Sequence, residues 1–113
     1  MFNIASIYPF TEGCRFDFDY YLEKHMPLSI ERLSKAEGFH SVRVERGLAL
    51  EEANIPCSYV AMCHYYFDTV EHFMAAFMPH AQELQGDIQN YTDIQPIIQI
   101  NEVAIAISSE PMQ

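Results

Sequence analysis

The chain has 113 residues, of which 50% are hydrophobic and 19% charged, which suits one compact domain and excludes a disordered segment. A formal net charge of −10, with only six Lys and Arg, excludes the clustered basic surface that nucleic acid or an anionic membrane would need. Three cysteines, Cys14, Cys57 and Cys63, form no C-x-x-C unit, so a disulfide scaffold or structural zinc site is excluded and reduced thiols in the cytoplasm are expected.

The opening MFNIASIYPF has no basic run ahead of a long apolar core, so no signal peptide is expected, and no stretch reaches transmembrane length. Residues 2–8 are rich in β-branched and aromatic side chains and stop at Pro9, which predicts a first strand. A helix is predicted over about 16–35, with Phe18, Tyr21, Leu22, His25, Ser29 and Leu33 on one face at 3.6-residue spacing. Gly38 ends it. Residues 41–48 alternate Val42 and Val44 with charged neighbours, a second strand, and 51–56 form a polar loop.

Residues 59–67 (YVAMCHYYF) predict a third strand, apolar or aromatic on both faces. Asp68 and Glu71 have capping-box spacing and open a second helix that carries Val70, Phe73, Met74, Phe77, Ala81 and Leu84 on one side. Residues 86–93 connect it to a last strand over 97–107. The expected domain is therefore residues 1–108, with a flexible tail over 109–113.

The order β-α-β-β-α-β is that of an α+β, ferredoxin-like fold, a four-stranded antiparallel sheet with two helices on one face. The third and fourth strands look apolar on both sides, so the helix-free face needs a cover, and a homodimer with facing sheets supplies one. Each helix also pairs a proline with a methionine and a histidine: His25-Met26-Pro27 and Met78-Pro79-His80.

His25 lies near the middle of the first helix's apolar face. Burial disfavours the imidazolium, and a neutral imidazole suits a general base. Pro27 cannot donate to the carbonyl of Glu23, so the helix should kink and open space beside His25. The competing reading is a core histidine satisfied by a carbonyl or a tyrosine. His80 approaches from the other helix, whereas His72 is placed in solvent, His40 before the second strand and His64 on the third.

No H-x-x-x-H or H-E-x-x-H spacing occurs, so no metal site is expected. Seven tyrosines supply phenol donors, with Tyr8, Tyr21, Tyr65 and Tyr91 as candidates. Cys63 reads as a packed thiol. No phosphate loop, nucleophile elbow or dinucleotide fingerprint is present, so no cofactor is expected.

These segments resemble the EthD family, named for ethyl tert-butyl ether degradation. The likeness rests on Tyr8-Pro9, Arg15-Phe16-Asp17, Asp19-Tyr20-Tyr21 and His25-Met26-Pro27-Leu28. It continues through Val44-Glu45-Arg46-Gly47-Leu48, Tyr66-Phe67-Asp68, Phe77, Pro79-His80-Ala81 and Asn90-Tyr91-Thr92-Asp93-Ile94. The resemblance implies a dimeric α+β barrel, a fold that hosts cofactor-free monooxygenases, isomerases, dehydratases and decarboxylases. It also implies an alternative, an accessory or small-ligand-binding role beside a cytochrome P450-type oxygenase.

The resulting expectation is a cofactor-independent oxidoreductase acting on a hydrophobic organic molecule between helices and sheet. His25 and Tyr21 are the catalytic candidates. Tyr8, Phe18, His80 and Tyr91 are the substrate-binding ones.

Overall fold

A computed structural model describes residues 1–109, so the tail expected over 109–113 lies, beyond Ser109, outside the described residues. Strand β1 (Phe2–Pro9) leads into a helix of three parts: α1 (Phe18–Tyr20), a π-helical turn (Tyr21–His25) and α2 (Met26–Leu33). Strand β2 (Phe39–Arg46), a 3-10 turn (Glu51–Ala53) and β3 (Tyr59–Phe67) follow. Then come α3 (Val70–Phe77), a 3-10 turn (Met78–His80), α4 (Ala81–Gly86), a further 3-10 turn (Ile88–Asn90) and β4 (Ile97–Glu102).

The strands lie in the order β2-β3-β1-β4 and every neighbouring pair is antiparallel. This is the ferredoxin-like sheet that the sequence predicts. Strand alternation sends Ile4, Tyr8, Ala61, Cys63, Tyr65 and Phe67 to the helix-covered side, where each is at most 5% exposed. Met26 and Leu33 of α2 close over them.

The other side of the sheet is more mixed than expected. Val60, Met62, His64 and Tyr66 are half-buried there. His64 is held by Asn3 at 3.1 Å and Glu45 at 3.2 Å. Strand β4 stops at Glu102 rather than 107, and its helix-free positions include Gln99 and Asn101, opposite Ala5 and Asn3. Only Ile97 gives that side of β4 an apolar contribution. Beyond the strand, Ile105 and Ile107 are 81% and 91% exposed.

Two local expectations are corrected. Thr69, not Asp68, caps α3: its extended backbone (φ −140°, ψ 162°) delays the helix by one residue, and its hydroxyl oxygen accepts from the His72 N–H at 3.0 Å. Asp68 pairs with His40 instead. His72 does not point to solvent. It is half-buried, its Nδ1 lies 2.9 Å from the Thr69 hydroxyl, and its ring covers Gly38. Gly38 (φ +86°) has no alternative there, since an added Cβ would meet that ring at 2.6 Å.

Candidate functional site

Pro27 shapes the site through what it lacks. Without an N–H, and with its ring crowding the carbonyl of Glu23, it disrupts ordinary helical bonding just ahead of it. The Met26 N–H reaches back five residues to the Tyr21 carbonyl, giving the π turn. The expected loosening is thus a widened turn. It also shifts the faces: Leu22, assigned inward by the 3.6-residue wheel, is 49% exposed, while Met26 is buried beside Tyr21 and His25.

A second clip fixes the far wall. Phe16 bridges to Thr92, the Asp17 N–H donates to the Tyr91 carbonyl at 2.7 Å, and the Thr92 hydroxyl donates to the Arg15 carbonyl at 2.7 Å. The Arg15 N–H donates to Asp93 at 2.8 Å. Residues 15–17 and 91–93 are thereby tied together, which sets Tyr91 against the first helix. Its ring lies 4.6 Å from that of His25 and 5.0 Å from that of Tyr21, which in turn faces His25 at 5.8 Å, nearly parallel.

His25 is 8% exposed and its two nitrogens have different neighbours. Nδ1 lies 2.9 Å from Oδ2 of Asp87. Oδ1 of the same carboxylate accepts from the Tyr20 hydroxyl at 2.6 Å and from Asn90 at 2.8 Å. Burial opposes the charge on Asp87, but the hydrogen bonds from Tyr20, Asn90 and His25 outweigh it and hold the carboxyl below its ordinary value. An ionised acceptor at Nδ1 requires that nitrogen to carry the hydrogen, so in the neutral ring the lone pair is on Nε2. Nε2 has one long contact, 3.5 Å to the Tyr91 hydroxyl, which in turn lies 2.6 Å from the Tyr8 hydroxyl.

Beside His25 a cavity of about 760 Å³ opens between helices and sheet. Ile4, Tyr8, Cys63 and Tyr65 form its sheet side, Tyr21, His25, Ser29 and Leu33 a wall, and Phe73 and Phe77 of α3 another. Gln85, Gln89, Asp93 and Gln95, all exposed, stand at its mouth. No residue of α3 is fully buried, because the cavity lies beneath that helix.

The phenols inside are neutral donors. Burial pushes Tyr8 up to about 12, and burial drives Tyr21, Tyr65 and Tyr91 upward as well. Tyr65 shares a hydrogen bond with Ser29 at 2.7 Å. The Tyr21 hydroxyl, shielded from solvent, has no hydrogen-bond partner among the described residues. Burial also pushes the Cys63 thiol up to about 12, so it is packed and inert.

Tyr8, Tyr21 and His25 therefore line the cavity, and Tyr91 stands behind them. Phe18 does not line it; that ring packs against Phe16 at 4.5 Å, under the Arg46 guanidinium at 4.2 Å. Nor does His80, which ends the tight turn at Met78–His80, half-buried and away from the cavity lining. The sequence reading missed Asp87. The available signal was slight: it is the only charged residue between Glu83 and Asp93, just after the helix-ending Gly86.

Among the described residues no helix is long and apolar enough to cross a membrane. A family model of the EthD domain matches residues 15–95. The chain is similar to the crystal structure of an EthD-like protein from Ralstonia eutropha JMP134, with 43% identity, 96% of each chain covered and a TM-score of 0.85. It shares its fold with an ethyl tert-butyl ether (EthD) family protein from Bacillus halodurans C-125. That likeness has 21% identity, covers 91% of this chain and 98% of the other, and has a TM-score of 0.65. No curated protein matches the chain.

Proposed function

The chain belongs to the EthD family, and from that premise we propose that it binds a small hydrophobic organic molecule in the cavity and acts on it by acid–base chemistry at His25. The observation that carries this reading is the Asp87–His25 pair, 2.9 Å apart on a cavity wall. The carboxylate fixes the tautomer and stabilises the imidazolium formed when Nε2 takes a proton. Tyr8 and Tyr91 extend the hydrogen-bonded line from His25 back to the cavity.

Proton removal leaves an electron-rich substrate, and the oxidoreductase reading follows if dioxygen is the oxidant that attacks it. No organic cofactor is needed for that step.

A second reading is a non-catalytic binding or accessory protein supporting an oxygenase pathway of cytochrome P450 type. Near-complete burial of His25, with side chains against both nitrogens, favours it, because a structural histidine is held the same way. The two separate in D2O. Wild type and His25→Ala are titrated with hydrophobic organic molecules, and NMR reads both affinity and deuterium uptake. Catalysis requires uptake that His25→Ala loses while affinity persists. Binding without uptake in either protein establishes the second reading, and loss of folding alone makes His25 structural.

We also propose a cytoplasmic homodimer. Exposed Ile97 on the helix-free side of β4, with exposed Ile105 and Ile107 beyond the strand, supports a covering copy. Sedimentation at micromolar concentration should give twice the chain mass; a monomer would remove the proposed cover.

A further inference from the structure

The phenols around the cavity are not equivalent. Tyr8 is bonded to Tyr91 and Tyr65 to Ser29, but the Tyr21 hydroxyl has no partner among the described residues although its side chain is 1% exposed. A buried hydroxyl without a partner is costly, and native interiors rarely keep one without a purpose. Tyr21 contributes to the cavity lining, with its ring edge-on to that of Tyr8 on the sheet side at 6.0 Å. Burial keeps this phenol protonated, so what it lacks is an acceptor.

Charge narrows the ligand further. Among the described residues the lining contains no Lys or Arg, and its one carboxylate, Asp93, stands at the mouth. His25 does not fill the gap, because Asp87 already balances its positive charge when it is protonated. An anion entering this space would be desolvated without a counter-charge.

We propose that the cavity takes an uncharged hydrophobic molecule whose carbonyl oxygen accepts a hydrogen bond from Tyr21. This deepens the reading of the cavity as a ligand site and rests on it. A carbonyl uses both groups on the wall. His25 Nε2 takes the proton from the carbon next to the carbonyl, the C–H electron pair moves onto the oxygen as an enolate, and the Tyr21 hydroxyl stabilises the charge that develops there. Reversal returns a proton to carbon, so the step needs no further reactant.

Three probes on one skeleton test this: 1-tetralone, tetralin and 1,2,3,4-tetrahydronaphthalene-1-carboxylate, titrated calorimetrically into wild type, Tyr21→Phe and Tyr65→Phe. In wild type 1-tetralone should bind about fivefold to tenfold more tightly than tetralin, with the carboxylate weakest. Tyr21→Phe should bring the ketone to within about twofold of tetralin. Its unligated melting temperature should not fall, since the change removes only an unpartnered hydroxyl. Tyr65→Phe should keep the ketone preference.

A carboxylate that binds best, or a ketone preference that survives Tyr21→Phe, overturns the proposal while leaving the cavity a ligand site. So does a lower melting temperature for unligated Tyr21→Phe. If none of the three binds wild type at millimolar concentration, the ligand-site reading fails too. The wild-type ranking alone is decisive should either variant fold poorly.

Discussion

The two helices meet the same problem and answer it in opposite directions. Each places a proline beside a methionine and a histidine. Ahead of Pro27 the backbone widens, with the Met26 N–H bonded five residues back to Tyr21. Around Pro79 it tightens, with the Ala81 N–H bonded three residues back to Met78. The wide turn buries His25 against Asp87 and Tyr91; the tight one leaves His80 off the cavity. A histidine beside a proline on an apolar helix is therefore not yet a site. The carboxylate and phenol that complete it come from the irregular segment between α4 and β4.

The strongest way to break this contrast is to remove the histidine that has partners. With 1-tetralone in D2O as the reporter of proton removal, His25→Gln should lower deuterium uptake by about 10²-fold to 10⁴-fold, leaving affinity nearly intact. Equal uptake by the variant would make the first helix no more catalytic than the second.

Asp87→Asn comes next, with a loss on the order of a hundredfold, because an amide no longer enforces the Nδ1–H tautomer or balances the imidazolium. It also has a pH signature in stability. The folded Asp87 carboxyl lies below its ordinary value of 3.8, so its stabilisation is present above that pH and lost as pH falls through the lower folded value. Urea midpoints of wild type and Asp87→Asn should therefore differ at pH 7 and converge toward pH 2. A constant gap would mean that the carboxylate charge is not what the fold uses.

Pro27→Ala sharpens the backbone half of the comparison. Restoring the N–H lets the turn relax toward an α-helix and swings His25 from Asp87, at a cost of about tenfold in uptake. Unchanged uptake would show that packing, not proline, sets the wide turn. The smallest effect belongs to His80→Ala, which should leave uptake unchanged and stability within about 0.5 kcal/mol. A larger effect there would mean that the second helix contributes to the site after all.

The fold was legible because β2 alternates, the other strands are apolar or aromatic runs bounded by turn signals, and the helices repeat with a clear period; β3 was placed at its observed bounds, Tyr59–Phe67. His25 was legible because it sits near the centre of its face, where a small rotation does not expose it. Leu22 was misplaced and Met26 overlooked because the wheel assumes 3.6 residues per turn and the π turn breaks that count. His80 was misplaced because the wheel puts it toward the edge of its helix's apolar face, whereas the tight turn around Pro79 interrupts the helix there. Asp87 was out of reach because its role depends on a hydrogen bond to His25 across 62 residues of chain, and no local period marks such a contact.

Asp87 holds His25 with its hydrogen on Nδ1, which leaves the lone pair of the neutral ring on Nε2 at the edge of the cavity. Long-range ¹H–¹⁵N NMR of the imidazole at neutral pH tests it directly. The expected spectrum shows a protonated Nδ1 and an unprotonated Nε2 for His25, a pattern that Asp87→Asn disturbs. A His25 with the hydrogen on Nε2, unchanged by Asp87→Asn, would contradict it.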